Sequence, residues 1–141
     1  MANINPYIHF NGNAEEAFTF YKSVFGGEFA VFQRFKDMPG ANKIPEDEKE
    51  KVMHVSLPIG KGNVLMATDA LESMGSNLIQ GNNISLSIST DSEEETDRLF
   101  NALAVGGKIG MKLEKTFWGA YFGMLTDKFG IQWMISYDYK K

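Results

Sequence analysis

Two histidines, His9 and His54, are the only imidazoles in this 141-residue chain, and no cysteine accompanies them. Imidazole exchanges a proton readily near neutral pH, so either could serve as a general acid or base. Asp127, just ahead of Phe129-Gly130, is a third candidate for proton chemistry. Each also has a plainer role, which its sequence context favours. His54 sits in the strand-like run Met53-His54-Val55-Ser56-Leu57, where a histidine bonds to its neighbours. His9 reads as a polar lining residue. An Asp ahead of a turn usually holds the turn through its own side-chain bonds. The lack of cysteine excludes disulfides and thiolate chemistry.

Aromatic and thioether side chains are the other binding chemistry. Most aromatics belong to core or interface, but Trp118 follows Phe117 and precedes Gly119-Ala120, where an indole can stack on a ligand at a cavity mouth. Eight methionines suit a lining that adapts to shape, and equally suit gap-filling in a core. The run Glu46-Asp47-Glu48-Lys49-Glu50-Lys51 alternates in sign and reads as a solvated loop face, not a cation site.

The elements that carry these residues occur twice. Asn13-Ala14-Glu15-Glu16 opens a helical stretch ending in Phe25-Gly26-Gly27, and Glu93-Glu94-Glu95-Thr96 opens another ending in Val105-Gly106-Gly107. Met53 to Leu57, then Gly62 and Val64-Leu65-Met66, match Tyr121 to Leu125, then Gly130 and Gln132-Trp133-Met134. The offset falls from 80 in the helices to 68 here, so the first copy carries about 12 extra residues, placed in the Pro- and acid-rich loop from Asp37 to Lys49.

Alternation of Ile4, Ile8 and Phe10 with Asn5, Tyr7 and His9 predicts a first strand. Asn13 is an expected helix cap, and Gly26-Gly27 an expected stop. Strand-like residues follow from Glu28 to Lys36, and a hairpin turns about Gly60-Lys61-Gly62. The second copy gives a strand through Ile84, Leu86 and Ile88, a helix capped by Asp91 or Ser92, and strands near residues 108–116, 118–126 and 131–137. The chain is therefore read as one α+β domain of two βαβββ modules, about residues 1–72 and 80–141. Their paired curved half-barrel sheets are expected to enclose a cavity.

Net charge of -4 with scattered basic residues argues against nucleic acid as a partner. No apolar run approaches the roughly 20 residues of a membrane helix, so no membrane partner is expected. The start, Met1-Ala2-Asn3-Ile4-Asn5-Pro6, has neither a basic nor an apolar leader region. A cytoplasmic location is expected.

Pro6-Tyr7-Ile8-His9-Phe10-Asn11-Gly12-Asn13-Ala14-Glu15-Glu16-Ala17, Phe20 to Gly27, and Val52 to Leu57 resemble the PhnB-like family. So do Leu65-Met66-Ala67-Thr68-Asp69 and the stretch from Phe117-Trp118-Gly119 to Trp133. That family belongs to the glyoxalase, bleomycin-resistance and extradiol-dioxygenase superfamily, also called vicinal oxygen chelate. The resemblance spans nearly the whole chain. It implies a homodimer and a concave small-molecule site, which many members furnish with a divalent metal and others use without one. Members are often described as demethylubiquinone methyltransferases, yet the chain lacks a glycine-rich strand-to-helix loop and a parallel-sheet pattern that would cradle S-adenosylmethionine.

The resemblance also implies ligand positions on the first and last strands of each module, and alternation maps these to Asn5, Met66, Asn83 and Met134. None suits a hard divalent ion or zinc, because thioethers favour soft ions and no carboxylate or imidazole is present. Only His9 could recruit a metal, without an evident carboxylate partner.

The expectation is a metal-free, cofactor-free small-molecule-binding protein of this group, with no assigned catalytic residue. Its ligand would meet Tyr7, His9, Ser85, Ser87, Gln132 and Ser136 as polar contacts, and Met66, Met134 and Trp118 as the apolar wall. Two alternatives stand beside it: a metal-dependent lyase, isomerase or oxygenase, and a protein that sequesters a drug or toxin.

Overall fold

The computed structural model describes residues 2–75 and 77–139. The chain divides into two compact units, residues 1–79 and 80–141. Each contains one helix and one four-stranded mixed sheet that does not close on itself, in the order βαβββ.

In the first unit β1 (Tyr7–Phe10) leads into α1 (Ala14–Phe25), followed by β2 (Val31–Arg34), β3 (Val52–Ile59) and β4 (Asn63–Asp69). The strands lie side by side as β1-β4-β3-β2, with β1 parallel to β4 and the other pairs antiparallel. Ala14, Ala17, Phe18, Tyr21 and Val24 recur at helical spacing and are all buried. They pack toward Phe10, Val55, Leu57, Leu65 and Ala67, the buried alternate residues of the strands. Phe18 meets Phe10 and Tyr21 edge-on, at ring-centroid distances of 6.2 and 5.5 Å. Burying side chains of this size stabilises the unit by about 1.5–3 kcal/mol each. At Gly26 the backbone turns to φ 81°, its N–H bonding Lys22 O, and the helix stops.

The second unit repeats the plan with β5 (Leu86–Ser89), α2 (Glu93–Ala104), β6 (Lys108–Lys115), β7 (Ala120–Thr126) and β8 (Gln132–Asp138). Its order is β5-β8-β7-β6, with β5 parallel to β8. Leu99, Phe100 and Leu103 bury against Leu125, Trp133 and Ile135. Gly123 makes that approach possible: a Cβ there would stand 2.7 Å from Phe100 Cε2 and 2.9 Å from Leu113 Cδ2.

Two buried aspartates fasten the turns. Asp69 Oδ1 accepts the backbone N–H groups of Gly12 and Ala14, and Oδ2 accepts that of Val52. Asp127 Oδ1 accepts from Phe129 and Ile131, and Oδ2 from the Trp133 indole. Asp127 thus takes the turn-holding role rather than a catalytic one.

Several expected boundaries shift. The first strand begins at Tyr7, not Ile4, because Asn5 Oδ1 takes the Val64 N–H that a longer strand would have bonded through its backbone. Ile4 is 95 % exposed. Likewise β5 begins at Leu86, and Ile84 O is bonded by the Gln132 side chain. The strand expected over residues 28–36 contracts to 31–34. The long loop holds short 3-10 turns at Ala41–Lys43 and Glu46–Glu48, preceded by one at Phe35–Asp37. Glu48 is buried and bonded to Ser73, so it is not part of a wholly solvated face. Asn13 stands at the helix start but makes no side-chain cap; Asp69 instead accepts the N–H of Ala14, the first helical residue, from across the unit. Ser92 does cap α2, accepting the Glu95 N–H at 3.0 Å. Among the described residues no helix is long and apolar enough to cross a membrane.

Candidate functional site

Side chains alternate across each sheet, so the residues between the buried ones form a second face, turned away from the helix. In the first unit Tyr7, Met66, Ser56 and Val31 are successive register partners across the four strands. Two residues along, His9 partners Thr68, and His54 partners Gln33. Pro58 and Val64 form the row beyond. None of these residues is Asp, Glu, Lys or Arg. The face is neutral apart from whatever charge its two imidazoles take on.

Those imidazoles gather about one phenol. Tyr7 Oη and His54 Nδ1 lie 3.1 Å apart, in hydrogen-bond contact, and their rings stack at 5.5 Å and 28°. The His9 ring lies 5.6 Å from Tyr7 on the same face. Tyr7 is 44 % exposed, so the hydrogen-bonded end of the cluster reaches solvent. Thr68 beside it donates its hydroxyl to Met53 O and is a fixed neighbour rather than a free donor. His54 therefore is a strand residue bonded to a neighbour, but the neighbour is a phenol 47 residues away in sequence.

The second unit's corresponding face has another chemistry. Ser87, Met134, Met124 and Met111 are successive partners across β5, β8, β7 and β6, and Ser89, Ser136, Phe122 and Glu114 form the next row. Register fixes the equivalences between copies. Ser56 partners Met66 as Met124 partners Met134, so 124 - 56 = 68 and 134 - 66 = 68. Tyr7 partners Met66 as Ser87 partners Met134, giving 87 - 7 = 80. His54 then corresponds to Phe122, and Tyr7 and His9 to Ser87 and Ser89. The protonatable cluster has no counterpart in the second copy.

Trp118 lies in the turn before β7, 54 % exposed, with its ring edge-on to Phe122 at 5.9 Å. That contact brings it beside the methionine row. Phe117 is 98 % exposed. Gln132, Met134 and Ser136 lie on this face with Ser87, while Ser85 precedes β5. Phe122, Met111 and Met124 were not anticipated as lining residues; the repeat of the Met53–Leu57 run at residues 121–125 was the signal that could have found Phe122 and Met124.

The metal positions implied by the resemblance do not fit an ion. Asn5 Oδ1 already accepts the Val64 N–H, and Met66 and Met134 offer only thioethers. Asn83 lies outside β5, and by register the equivalent of Asn5 is Ser85, not Asn83. Among the described residues no three His, Asp or Glu side chains gather where they could hold a metal. The row of His9 holds Thr68, His54 and Gln33, and no carboxylate. A methyl donor of the nucleoside type fares no better. The β1-to-α1 turn, where such a group would need free backbone N–H groups, spends those of Gly12 and Ala14 on Asp69. Lys51 Nζ also stands 2.7 Å from where a Gly12 Cβ would lie.

Residues 2–136 match the family model described as 3-demethylubiquinone-9 3-methyltransferase. The chain is 43 % identical to protein PA1353 from Pseudomonas aeruginosa, with a TM-score of 0.83 and 98 % of each chain covered. It is 30 % identical to the PhnB protein of Bacillus cereus, with a TM-score of 0.75, covering 96 % of this chain and 99 % of the other. A glyoxalase/bleomycin resistance protein/dioxygenase family enzyme from Burkholderia phytofirmans shares the fold, with a TM-score of 0.61 at 22 % identity over 93 % of this chain and 95 % of that one.

Proposed function

The chain belongs to the 3-demethylubiquinone-9 3-methyltransferase family, the PhnB-like group with the glyoxalase/bleomycin-resistance fold, and on that premise we propose that it binds a small organic molecule through the Tyr7–His9–His54 face. One observation carries this reading: a solvent-reaching phenol joined to one imidazole at 3.1 Å and flanked by another, on a face without formal charge. A packed core has no use for three exchangeable ring groups at its surface. A ligand with a flat body and one or two oxygens does, because the rings offer area and the Tyr7 and His54 polar atoms fix orientation. Met66, beside Tyr7, adds an apolar wall that adjusts to shape.

Methyl transfer is not part of the proposal, since the turn that would cradle the donor has its N–H groups engaged. The cluster is particular to the first copy: Ser87, Ser89 and Phe122 stand at the equivalent places in the second.

A thermal-shift screen of small aromatic and carbonyl compounds tests it. A ligand present at about 100 times its Kd stabilises the native state by about 2.7 kcal/mol. The stabilisation is expected in the wild type and lost or much reduced in Tyr7→Phe and His54→Ala. A ligand whose effect survives both substitutions would place binding elsewhere and refute the assignment.

A further inference from the structure

We propose that Tyr7 and His54 form a proton-relay pair that selects an acidic hydroxyl, a phenol or an enol, and holds it as the anion. This rests on the binding role just proposed and specifies its ligand class.

The geometry supplies the route. Tyr7 Oη lies 3.1 Å from His54 Nδ1 at a solvent-reaching position. With the imidazole neutral and Nδ1 unprotonated, the phenol donates to it, which leaves a lone pair of Tyr7 Oη directed away from the ring. An incoming hydroxyl donates to that lone pair. Its O–H bond breaks and a new O–H bond forms on Tyr7, while the original Tyr7 proton crosses to Nδ1. The products are a ligand oxyanion, an intact phenol and an imidazolium, with no oxidant or further reactant required.

The surroundings favour the charge that results. The groups facing His54 are Tyr7 and His9 from β1, Thr68 and Met66 from β4, and Gln33 from β2. None is a carboxylate that would repel the oxyanion, and none is a lysine or arginine that would bind any anion without regard to its proton. A strong acid already ionised in water brings no proton, so it pairs with the imidazolium only where solvent has protonated His54 first. A neutral ether or ketone cannot load the relay. A hydroxyl that ionises near neutrality carries the proton with it, so it can form the oxyanion–imidazolium pair directly from the neutral imidazole. The ring stack at 5.5 Å lets the imidazolium spread its charge beside the Tyr7 π face while the ligand ring lies toward His9.

The test uses full-length protein with three probes: 4-nitrophenol, its methyl ether 4-nitroanisole, and benzoate. Binding is followed by the imidazole ring signals of His9 and His54 in NMR spectra, and ionisation by the phenolate absorbance of 4-nitrophenol. Bound 4-nitrophenol is expected as phenolate at a pH about one unit below that at which the free probe ionises, a roughly tenfold shift in its acid equilibrium. In Tyr7→Phe and His54→Gln, which alter the exposed Tyr7 and the half-buried His54 and leave the buried core residues untouched, that shift should vanish. If 4-nitroanisole perturbs the ring signals as strongly as 4-nitrophenol, or if benzoate competes equally, the anion-selecting relay is wrong while binding at this face stands. If no probe moves either histidine, both the relay and the binding face are refuted.

Discussion

Asp127 Oδ2 accepts the Trp133 indole N–H at 2.8 Å inside the second unit, while its Oδ1 holds the N–H groups of Phe129 and Ile131. One carboxylate thus ties a tight turn, the start of β8 and a buried core ring together. Replacement by Asn leaves only one acceptor oxygen and turns an NH2 toward existing donors. Asp127→Asn is expected to destabilise the protein by about 1–3 kcal/mol in urea unfolding. A loss below roughly half a kilocalorie would show that this arrangement is not what holds the turn.

The two helix starts make opposite forecasts from similar residues. Ser92 accepts the Glu95 N–H, so Ser92→Ala should cost about 1 kcal/mol. Asn13 makes no side-chain cap, while Asp69 holds the Ala14 N–H from across the unit. Asn13→Ala should therefore change the unfolding free energy by less than about 0.5 kcal/mol. Comparable losses in both variants would contradict the division of labour.

Tyr121 donates to Asp97 at 2.7 Å, and this bond, with some burial, pushes its phenol up to about 12 from 10.0. Raising a folded-state pKa means the native protein keeps a proton the unfolded chain has released. The contribution is whole below pH 10 and is lost as pH rises through about 12. Unfolding followed across that window should show falling stability, with a shallower fall in Tyr121→Phe. Tyr139, bonded to Glu93 and also raised to about 12, will account for part of what remains. An identical slope in Tyr121→Phe and wild type would remove Tyr121 from the effect.

Metal addition makes a fourth expectation. The donors at the implied positions are two amides, one of them engaged, and two thioethers, which Mn2+, Zn2+ and Ni2+ take poorly. Saturating concentrations should leave the melting temperature within error of the metal-free protein. A saturable rise that disappears in His9→Ala would show that His9 recruits an ion after all.

Local chemistry made much of the fold legible. The β3–β4 hairpin could be placed from alternation on both sides of Gly60-Lys61-Gly62, and the helices from their buried stripe and glycine stops. The errors came where a distant side chain replaced a local backbone bond. Asn5 shortens β1 by taking the Val64 N–H, and Asp69 fastens the Ala14 N–H at the helix start where Asn13 makes no cap. The same limit applies to the Tyr7–His54 contact. Each residue could be assigned to a strand face, yet their meeting depends on register across β1, β4 and β3. That register is set by tertiary packing, not by neighbours in the chain.

The row of Met111, Met124 and Met134 carries a liability of its own. Peroxide turns a thioether into a sulfoxide, polar and chiral where the parent was neither. Three such groups on adjoining strands would wet a surface now suited to hydrocarbon, and repair would depend on reductases that each accept one epimer. In this chain, with no thiol to intercept the oxidant, that strip and the exposed Met74 are where chemical ageing would register.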